Sequence, residues 1–119
     1  MRLEVENVWG GYGSGDVIRG VSCQADGGEI LCLVGPNGCG KTTLFRLLLG
    51  ALPLRRGEIR IDGKSIAAYS PRELARQIAY IPQSHTPVFS YSVLEVVLMG
   101  RASHLSALDA PRAADREAA

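Results

Sequence analysis

The sequence predicts an α/β fold. Segments with strand-like and helix-like patterns alternate along the chain, which is the order of elements expected for that class. A nearly unbroken apolar run at 29–34 is typical of a buried parallel strand, and a glycine-rich loop leads from it directly into a helix. The 119 residues are 46% hydrophobic and 21% charged, as in ordinary globular domains, which argues against extensive disorder.

Two strands are predicted at the start of the chain. Apolar and polar residues alternate over 1–8, which indicates a strand with one face exposed. A second strand is predicted over 17–25, after a turn of closely spaced glycines around Tyr12. The Asp-Gly-Gly turn at 26–28 then separates this strand from the apolar run that follows.

The segment after the glycine-rich loop is predicted to form a helix that ends at Gly50. Its buried side is expected to consist of five apolar residues: Leu44, Phe45, Leu47, Leu48 and Leu49. A short strand is predicted over 58–61, where the turn at 62–64 ends it. A further short apolar strand is predicted over 78–81.

Two later helices carry recognisable start signals. Ser70 is a suitable N-cap, Pro71 suits the first helical position, and Glu73 completes a capping box three residues after the cap. Ser92 and Glu95 repeat the same spacing and predict a helix that extends to about Gly100. Each capping box lies within one helical turn, so it predicts the residue at which its helix begins.

A last helix is predicted to begin at Asp109, with Pro111 just inside it. No glycine or other stop signal follows before the final residue, Ala119. We therefore expect this sequence to be cut within a helix.

Charge and apolar patterning exclude several classes of protein. Thirteen basic and twelve acidic side chains give a net charge of +1, which provides no electrostatic case for nucleic acid as a partner. No apolar run approaches the roughly 18 residues of a transmembrane helix, and acidic residues occupy the place of a signal-peptide core. The sequence therefore predicts a soluble cytosolic protein, with Cys23, Cys32 and Cys39 as reduced thiols.

The residues Gly-Pro-Asn-Gly-Cys-Gly-Lys-Thr at 35–42 match the complete P-loop pattern G-x-x-x-x-G-K-[ST]. Glycines let successive amides turn toward a phosphate, and the helix that follows adds its N-terminal dipole. Lys41 supplies a full positive charge near the β- and γ-phosphates, and the Thr42 hydroxyl is a suitable Mg²⁺ ligand. Thr43 adds a hydroxyl for the α-phosphate. The pattern predicts a nucleotide phosphate site.

Two plainer interpretations accompany this loop. A glycine turn can precede a core helix without binding anything, although the strand and helix that flank this one favour the P-loop. Cys39 is either a small residue tolerated within the loop or a thiol made reactive by the helix N-terminus, and we favour the first.

Beyond the P-loop, the sequence resembles the ATP-binding cassette family, the nucleotide-binding subunits of ABC transporters. The matching segments are L-E-V-E-N-V-W-G-G-Y-G at 3–13, V-I-R-G-V-S at 17–22, G-E-I-L-C-L-V-G-P-N-G-C-G-K-T-T-L at 28–44, R-R-G-E-I-R-I-D-G-K at 55–64 and I-A-Y-I-P-Q at 78–83. The resemblance implies an incomplete P-loop NTPase core with N-terminal antiparallel strands and the start of a helical subdomain. It places the partial core at 1–83 and the start of the helical subdomain, truncated before the signature motif, at 84–119.

The resemblance also assigns roles to single residues. Tyr12 matches the aromatic residue that stacks on adenine, whereas Trp9 is expected to pack. Gln83 matches the glutamine that reaches Mg²⁺ or the attacking water, so Lys41 and Gln83 are the catalytic candidates and Thr42 and Gln83 the metal candidates. The loop residues expected to contact ATP are Gly35, Pro36, Asn37, Gly38, Cys39, Gly40, Lys41, Thr42 and Thr43.

A more specific resemblance lies at 92–105, where S-V-L-E-V-V-L-M-G-R-A-S-H-L resembles importers of ferric siderophores, haem and cobalamin. It implies a membrane permease, a second copy of the ATP-binding subunit and, indirectly, a periplasmic or surface substrate-binding protein as partners. Location would then be cytoplasmic, peripheral on the inner face of the membrane. The apolar segment 87–99 is expected either to receive the permease or to pack within the helical subdomain.

The family's signature motif, Walker B acidic pair and switch histidine are absent from these 119 residues. The resemblance implies that the parent protein is an ATPase. Because hydrolysis needs the missing motifs, these 119 residues alone are not expected to hydrolyse ATP. Alternatives are a module that binds ATP without hydrolysing it, a soluble cassette ATPase of DNA repair or translation, and a P-loop kinase. The aromatic residue before the P-loop and Gln83 after it argue against the kinase.

Overall fold

The computed structural model describes residues 1–84, 89–105 and 110–119. The chain consists of two compact units, Met1–Leu74 and Ala75–Ala119. The predicted helix start at Asp109 and the first part of the segment proposed for a permease, at 87–88, lie outside the described residues.

The first unit is built on a four-stranded antiparallel sheet with the order β2-β1-β3-β4. The strands are β1 (Arg2–Gly10), β2 (Ile18–Asp26), β3 (Arg56–Ile61) and β4 (Lys64–Ser65). In the register, Val5 lies opposite Cys23 on one side and opposite Ile59 on the other. The strands predicted over 1–8, 17–25 and 58–61 are thus confirmed.

A bulge interrupts the long central strand β1. The pairing register with β3 shifts between Glu6 and Trp9, and Asn7 adopts a positive φ of 46°. At this point Gly57 of β3 lies so close that an added Cβ would be 2.2 Å from the Asn7 carbonyl oxygen. Only glycine fits there, because the backbones of the two strands approach so closely at the bulge.

Helix α1 (Lys41–Leu48) contributes its Leu44 and Leu47 side chains to the core of this unit, together with Val8 and Ile59. Leu47 is fully buried and contacts Gly10 at the end of β1, where an added Cβ would lie 2.7 Å from Leu47 Cδ2. Phe45, predicted to be buried, is 41% exposed. Residues three apart share a helix face, so Leu44 and Leu47 point inward together while Phe45 points away.

The apolar runs at 29–34 and 78–81, predicted as strands, are not strands in this structure. Ile30 is 90% exposed and Ile81 is 91% exposed. A parallel strand is stable only when neighbouring strands take up its backbone hydrogen bonds, and the four strands of the described sheet pair only with one another. Both segments are apolar, but the prediction that they are paired and buried strands was wrong.

Both predicted capping boxes are present. The Ser70 amide donates to Glu73 Oε2 at 2.8 Å, and the Glu73 amide donates to Ser70 Oγ at 3.3 Å. The same exchange joins Ser92 and Glu95, at 2.7 Å and 3.3 Å. These boxes open α2 (Pro71–Gln77) and α3 (Val93–Met99). The Ser92 amide and hydroxyl hold the pKa of the Glu95 carboxyl below its usual range.

The last helix, α4 (Ala113–Ala118), belongs to the second unit. It begins after Arg112, whose amide donates to Asp115 Oδ2 at 2.9 Å. Arg101 Nε donates to Asp115 Oδ1 at 3.0 Å, which connects the end of α3 with α4. The hydrogen bond from the Arg112 amide, followed by the one from Arg101, lowers the pKa of the Asp115 carboxyl.

Candidate nucleotide-binding site

The P-loop at 35–42 turns sharply into α1 through two glycines with left-handed backbone angles. Gly38 has φ +85° and Gly40, the N-cap of the helix, has φ +106°. The Cys39 amide donates to the Pro36 carbonyl at 3.3 Å, and the first helical hydrogen bond runs from the Leu44 amide to the Gly40 carbonyl at 2.9 Å. Residues with a Cβ rarely adopt these angles, which explains why glycine is required here.

The end of this loop is fixed by the start of β2. A Cβ added to Gly40 would lie 2.9 Å from Ile18 Cδ1 and 3.1 Å from Val17 Cγ1. The backbone therefore approaches these two side chains more closely than any other residue type would permit. The sheet thereby sets the position of the N-terminus of α1.

The N-terminus of α1 has the electrostatic character of an anion site. The first turn contains no acidic residue, and no side chain of the described residues caps it. The Thr42 side chain is exposed at this end of the helix, whereas Thr43 is buried. Unpaired amides and the helix dipole therefore favour a negatively charged group at this place.

Lys41, the first residue of α1, folds back over the loop. Its Nζ donates to the carbonyl oxygens of Gly35 and Pro36, the second at 2.9 Å, and lies 3.7 Å from Cys39 Sγ. The ammonium group therefore lies against the backbone of the P-loop. Lys41 is the residue to which the P-loop motif assigns phosphate binding. A second anion-binding element is thus added to the helix N-terminus.

Tyr12 lies in the loop between β1 and β2 and is 46% exposed. The loop is closed by a hydrogen bond from the Val17 amide to the Gly10 carbonyl at 2.9 Å and by one from the Gly15 amide to the Tyr12 carbonyl at 3.1 Å. The Tyr12 hydroxyl accepts a hydrogen bond from Arg46 Nη1 at 2.7 Å. Helix α1 thus contains both Lys41 of the P-loop and the residue that contacts Tyr12.

Arg55 holds the same loop from the chain segment before β3. Its Nη1 donates to Asp16 Oδ1 at 2.7 Å, its Nη2 donates to the Gly13 carbonyl, and its amide donates to the Trp9 carbonyl at 2.9 Å. Neither Arg46 nor Arg55 was identified from the sequence. The partners of these two side chains are 34 to 42 residues away along the chain, so no local pattern could have indicated these contacts.

Gln83, Phe89 and Tyr91 belong to the second unit. Gln83 is exposed, and its predicted role in Mg²⁺ or water binding stays a prediction. The rings of Phe89 and Tyr91 are exposed and meet edge to face, with their centroids 6.2 Å apart. Trp9 packs instead against an arginine: Arg56 lies 5.6 Å from its ring centroid, as expected for a packing residue.

Residues 1–84, 89–105 and 110–119 contain no group of three or more histidine, cysteine, aspartate or glutamate side chains arranged to hold a metal ion. The same ranges contain no helix long and apolar enough to cross a membrane.

Comparison with known proteins gives a consistent family. The profile described as "ABC transporter" matches residues 18–118. An uncharacterized ABC transporter ATP-binding protein of Haemophilus influenzae is 40% identical over 119 residues, which are all of this chain and 45% of that protein. The hemin import ATP-binding protein HmuV of Thermobifida fusca is 48% identical over 91 residues, covering 76% of this chain and 32% of that protein.

A protein of Helicobacter pylori named "Probable iron chelatin transport ATP-binding protein" is 42% identical over 114 residues, covering 95% of this chain and 45% of that protein. The chain thus spans less than half the length of these curated relatives. Among solved structures, an ATP-binding subunit of an ABC transporter matches with a TM-score of 0.77 and 32% identity, over 92% of this chain and 44% of that one. The chain belongs to the ABC transporter family, and its fold is that of part of an ATP-binding subunit, as the sequence predicts.

Proposed function

We propose that this chain supplies the ATP- and Mg²⁺-binding part of an ATPase subunit that powers import of an iron-siderophore, haem or cobalamin-type substrate through a membrane permease. One observation carries the proposal. The glycine loop delivers an uncapped helix N-terminus and the Lys41 ammonium group to the same small region, and both favour bound phosphate.

The roles within this site follow the chemistry of the groups. Amides of the loop residues would hold the β- and γ-phosphates, and phosphate oxygens would replace the Gly35 and Pro36 carbonyls as acceptors for Lys41 Nζ. The exposed Thr42 hydroxyl is a hard oxygen donor suited to Mg²⁺, with Gln83 as the second proposed ligand. The bound ion would neutralise phosphate charge.

The remaining proposed contacts concern the α-phosphate and the base. Thr43 would contact the α-phosphate, and the Tyr12 ring would stack on adenine. The aromatic ring is nearly half exposed and its hydroxyl is bonded to Arg46, while Arg55 holds the loop through Asp16, which fits a stacking surface. Binding of the phosphates and the base would then use the P-loop, helix α1 and the β1–β2 loop, all of the first unit.

The substrate class rests on two kinds of sequence similarity. The segment 92–105 resembles importers of this class, and two similar proteins carry names for hemin import and iron chelatin transport. We infer that the complete subunit works as a pair on a permease at the inner face of the membrane, with a substrate-binding protein delivering the cargo. Within it, residues 1–83 would belong to the nucleotide-binding core and 84–119 to the helical subdomain.

The ATP site is tested by isothermal titration of Mg-ATP into the full product of the gene. Lys41→Ala should weaken binding at least tenfold, about 1.4 kcal/mol or more, because it removes a charged side chain that contacts the Gly35 and Pro36 carbonyls of the P-loop. Lys64→Ala is the matched control: Lys64 lies over the Tyr69 ring, 4.0 Å from its centroid, and should leave the affinity unchanged. Equal affinity in parent and Lys41→Ala protein would reject the site.

The substrate class is tested by uptake in cells that lack the gene. Cells complemented with the parent gene should accumulate one of radiolabelled ferric siderophore, haemin or cobalamin, and cells complemented with Lys41→Ala should not. Normal uptake of all three in the deletion strain would remove the import proposal while leaving the ATP site intact.

A further inference from the structure

The contact between Arg46 and Tyr12 has no part in the phosphate chemistry described above. Arg46 Nη1 donates to the Tyr12 hydroxyl at 2.7 Å, and the guanidinium carbon lies 5.8 Å from the ring centroid. That second distance is near the outer limit of a cation–π contact, so the hydrogen bond is the main interaction. The guanidinium is therefore attached at the hydroxyl end of the ring.

We propose that Arg46 is a positioning residue that holds the Tyr12 ring ready to stack on the purine base of the nucleotide. The inference rests on the proposed function, in which Tyr12 stacks on adenine. It adds one contact to that site, because the ring that stacks on the base would be oriented by Arg46 of helix α1.

The physical reason is preorganisation. Tyr12 lies in a loop rich in glycine and is 46% exposed, so its ring could otherwise adopt several rotamers. Ordering a free side chain on binding reduces affinity, and a ring already fixed in place avoids that loss. A hydrogen bond from a charged donor is stronger than one between neutral groups, which makes arginine effective in this role.

The backbone of the loop is held separately from the ring. Arg55 binds Asp16 and the Gly13 carbonyl, and the Val17 amide closes the loop on Gly10. These contacts fix where the loop lies, whereas Arg46 contacts the Tyr12 side chain itself. Loss of Arg46 should therefore change the ring and spare the loop.

Lys41 and Arg46 lie on the same helix, α1. Lys41 is its first residue and Arg46 lies in its last turn, about 7.5 Å further along the axis at 1.5 Å per residue. One rigid element thus presents a cation to the phosphates at one end and a cation to the base-stacking ring at the other. A phosphate-binding side chain and the side chain that orients the base-stacking ring therefore lie on the same helix.

The test compares two ligands that differ by the base and sugar. Mg-ATP and Mg-tripolyphosphate are titrated calorimetrically into the full product of the gene, as parent protein and as Arg46→Met. The parent should bind ATP more tightly, and Arg46→Met should lose about three- to tenfold of that advantage while tripolyphosphate affinity stays the same. A general effect on folding would weaken both ligands together, so the ratio of the two affinities isolates the base.

Tyr12→Phe provides an independent route to the same result, because it keeps the ring and removes only the acceptor hydroxyl. It should reduce the ATP advantage as Arg46→Met does, and the double variant should be no worse than either single variant. Arg46→Lys should recover part of the loss, since lysine keeps a charged donor. Arg56→Met is the matched control: it removes an arginine placed 5.6 Å from the Trp9 ring centroid and should change neither affinity.

The failures are distinguishable. If the parent binds neither ligand, both the proposed function and this inference are rejected. If the parent binds both equally, the stacking of Tyr12 on adenine and the positioning role of Arg46 are both rejected, while the phosphate site stands. If Arg46→Met keeps the full ATP advantage, loses both affinities alike, or adds its effect to that of Tyr12→Phe, only the positioning role of Arg46 is rejected.

Discussion

At the scale of single residues, the P-loop shows what a local motif determines and what it leaves open. The left-handed turns at Gly38 and Gly40 and the inward placement of Lys41 are properties of the motif itself, and the sequence predicted a loop of this kind. The Tyr12–Arg46 contact joins residues 34 positions apart and depends on how α1 packs on β1. Such contacts are decided by tertiary packing, which no spacing rule encodes.

Gly40 gives a prediction at this scale. Gly40→Ala should weaken Mg-ATP binding at least tenfold and lower the free energy of unfolding by about 1–3 kcal/mol, because alanine is strained at φ +106° and its Cβ would lie 2.9 Å from Ile18 Cδ1. Relief of that contact moves the N-terminus of α1 away from the phosphate position. Calorimetry and urea unfolding monitored by Trp9 fluorescence measure the two effects.

Gly63→Ala is the matched control for backbone strain. Gly63 also has a positive φ, +78°, but among the described residues no heavy atom beyond its two chain neighbours lies within 4 Å of an added Cβ, and it lies in the β3–β4 turn outside the P-loop. It should lower stability without changing ATP affinity. If Gly40→Ala and Gly63→Ala bound ATP equally well, the geometric role of Gly40 would be refuted.

At the scale of elements, the two helix starts marked by capping boxes were predicted well, whereas the start of the last helix and two strands were not. Pro111, predicted to lie just inside the last helix, precedes α4 (Ala113–Ala118). The boxes at Ser70 and Ser92 need only residues within one helical turn, so the sequence contains all the information. The runs at 29–34 and 78–81 have the apolar composition of strands but are not strands in this structure. A strand forms only when a neighbouring strand pairs with it, and that pairing depends on residues far away in the sequence. Local signals therefore located the caps, whereas apolar composition alone misassigned these two segments.

The capping box of α3 yields a prediction that includes pH. Ser92→Ala should destabilise the helix by about 1 kcal/mol, seen as lower amide protection factors over 93–99 by hydrogen-exchange NMR, because the Glu95 amide loses its acceptor. Ser90→Ala, two residues earlier and outside the helix, is the control. Unchanged protection in Ser92→Ala would show that the cap adds nothing to α3.

The Glu95 carboxyl sets the direction of the pH effect. Its pKa is lowered in the folded state, so its stabilising effect is complete above the ordinary glutamate pKa and is lost as the pH falls through the lowered value. Protection of α3 should therefore decrease on acidification in the parent protein. Glu95→Gln should remove that pH dependence, while a decrease of equal size in Glu95→Gln would assign it to another group.

At the scale of the whole molecule, the chain combines a small well-packed core with large exposed apolar segments. Val8, Leu47, Ile59 and Ile61 are fully buried in the first unit. Ile30 and Ile81 are almost fully exposed, and α3 of the second unit buries only Leu98 among its apolar residues. Exposed apolar segments favour association of one protein molecule with another.

The 119-residue chain should therefore bind the dye ANS and self-associate at concentrations where ordinary domains are monomeric, which fluorescence and sedimentation velocity measure. Ile30→Ser should reduce both effects and change the free energy of unfolding by less than about 0.5 kcal/mol, because its side chain is 90% exposed. Ile59→Ser, at a fully buried position of β3, should instead lose about 2–5 kcal/mol, since it opens a cavity and buries a hydroxyl. If the two substitutions destabilised the chain equally, residues 29–34 would be part of the core, and the exposed surface inferred from this structure would be wrong.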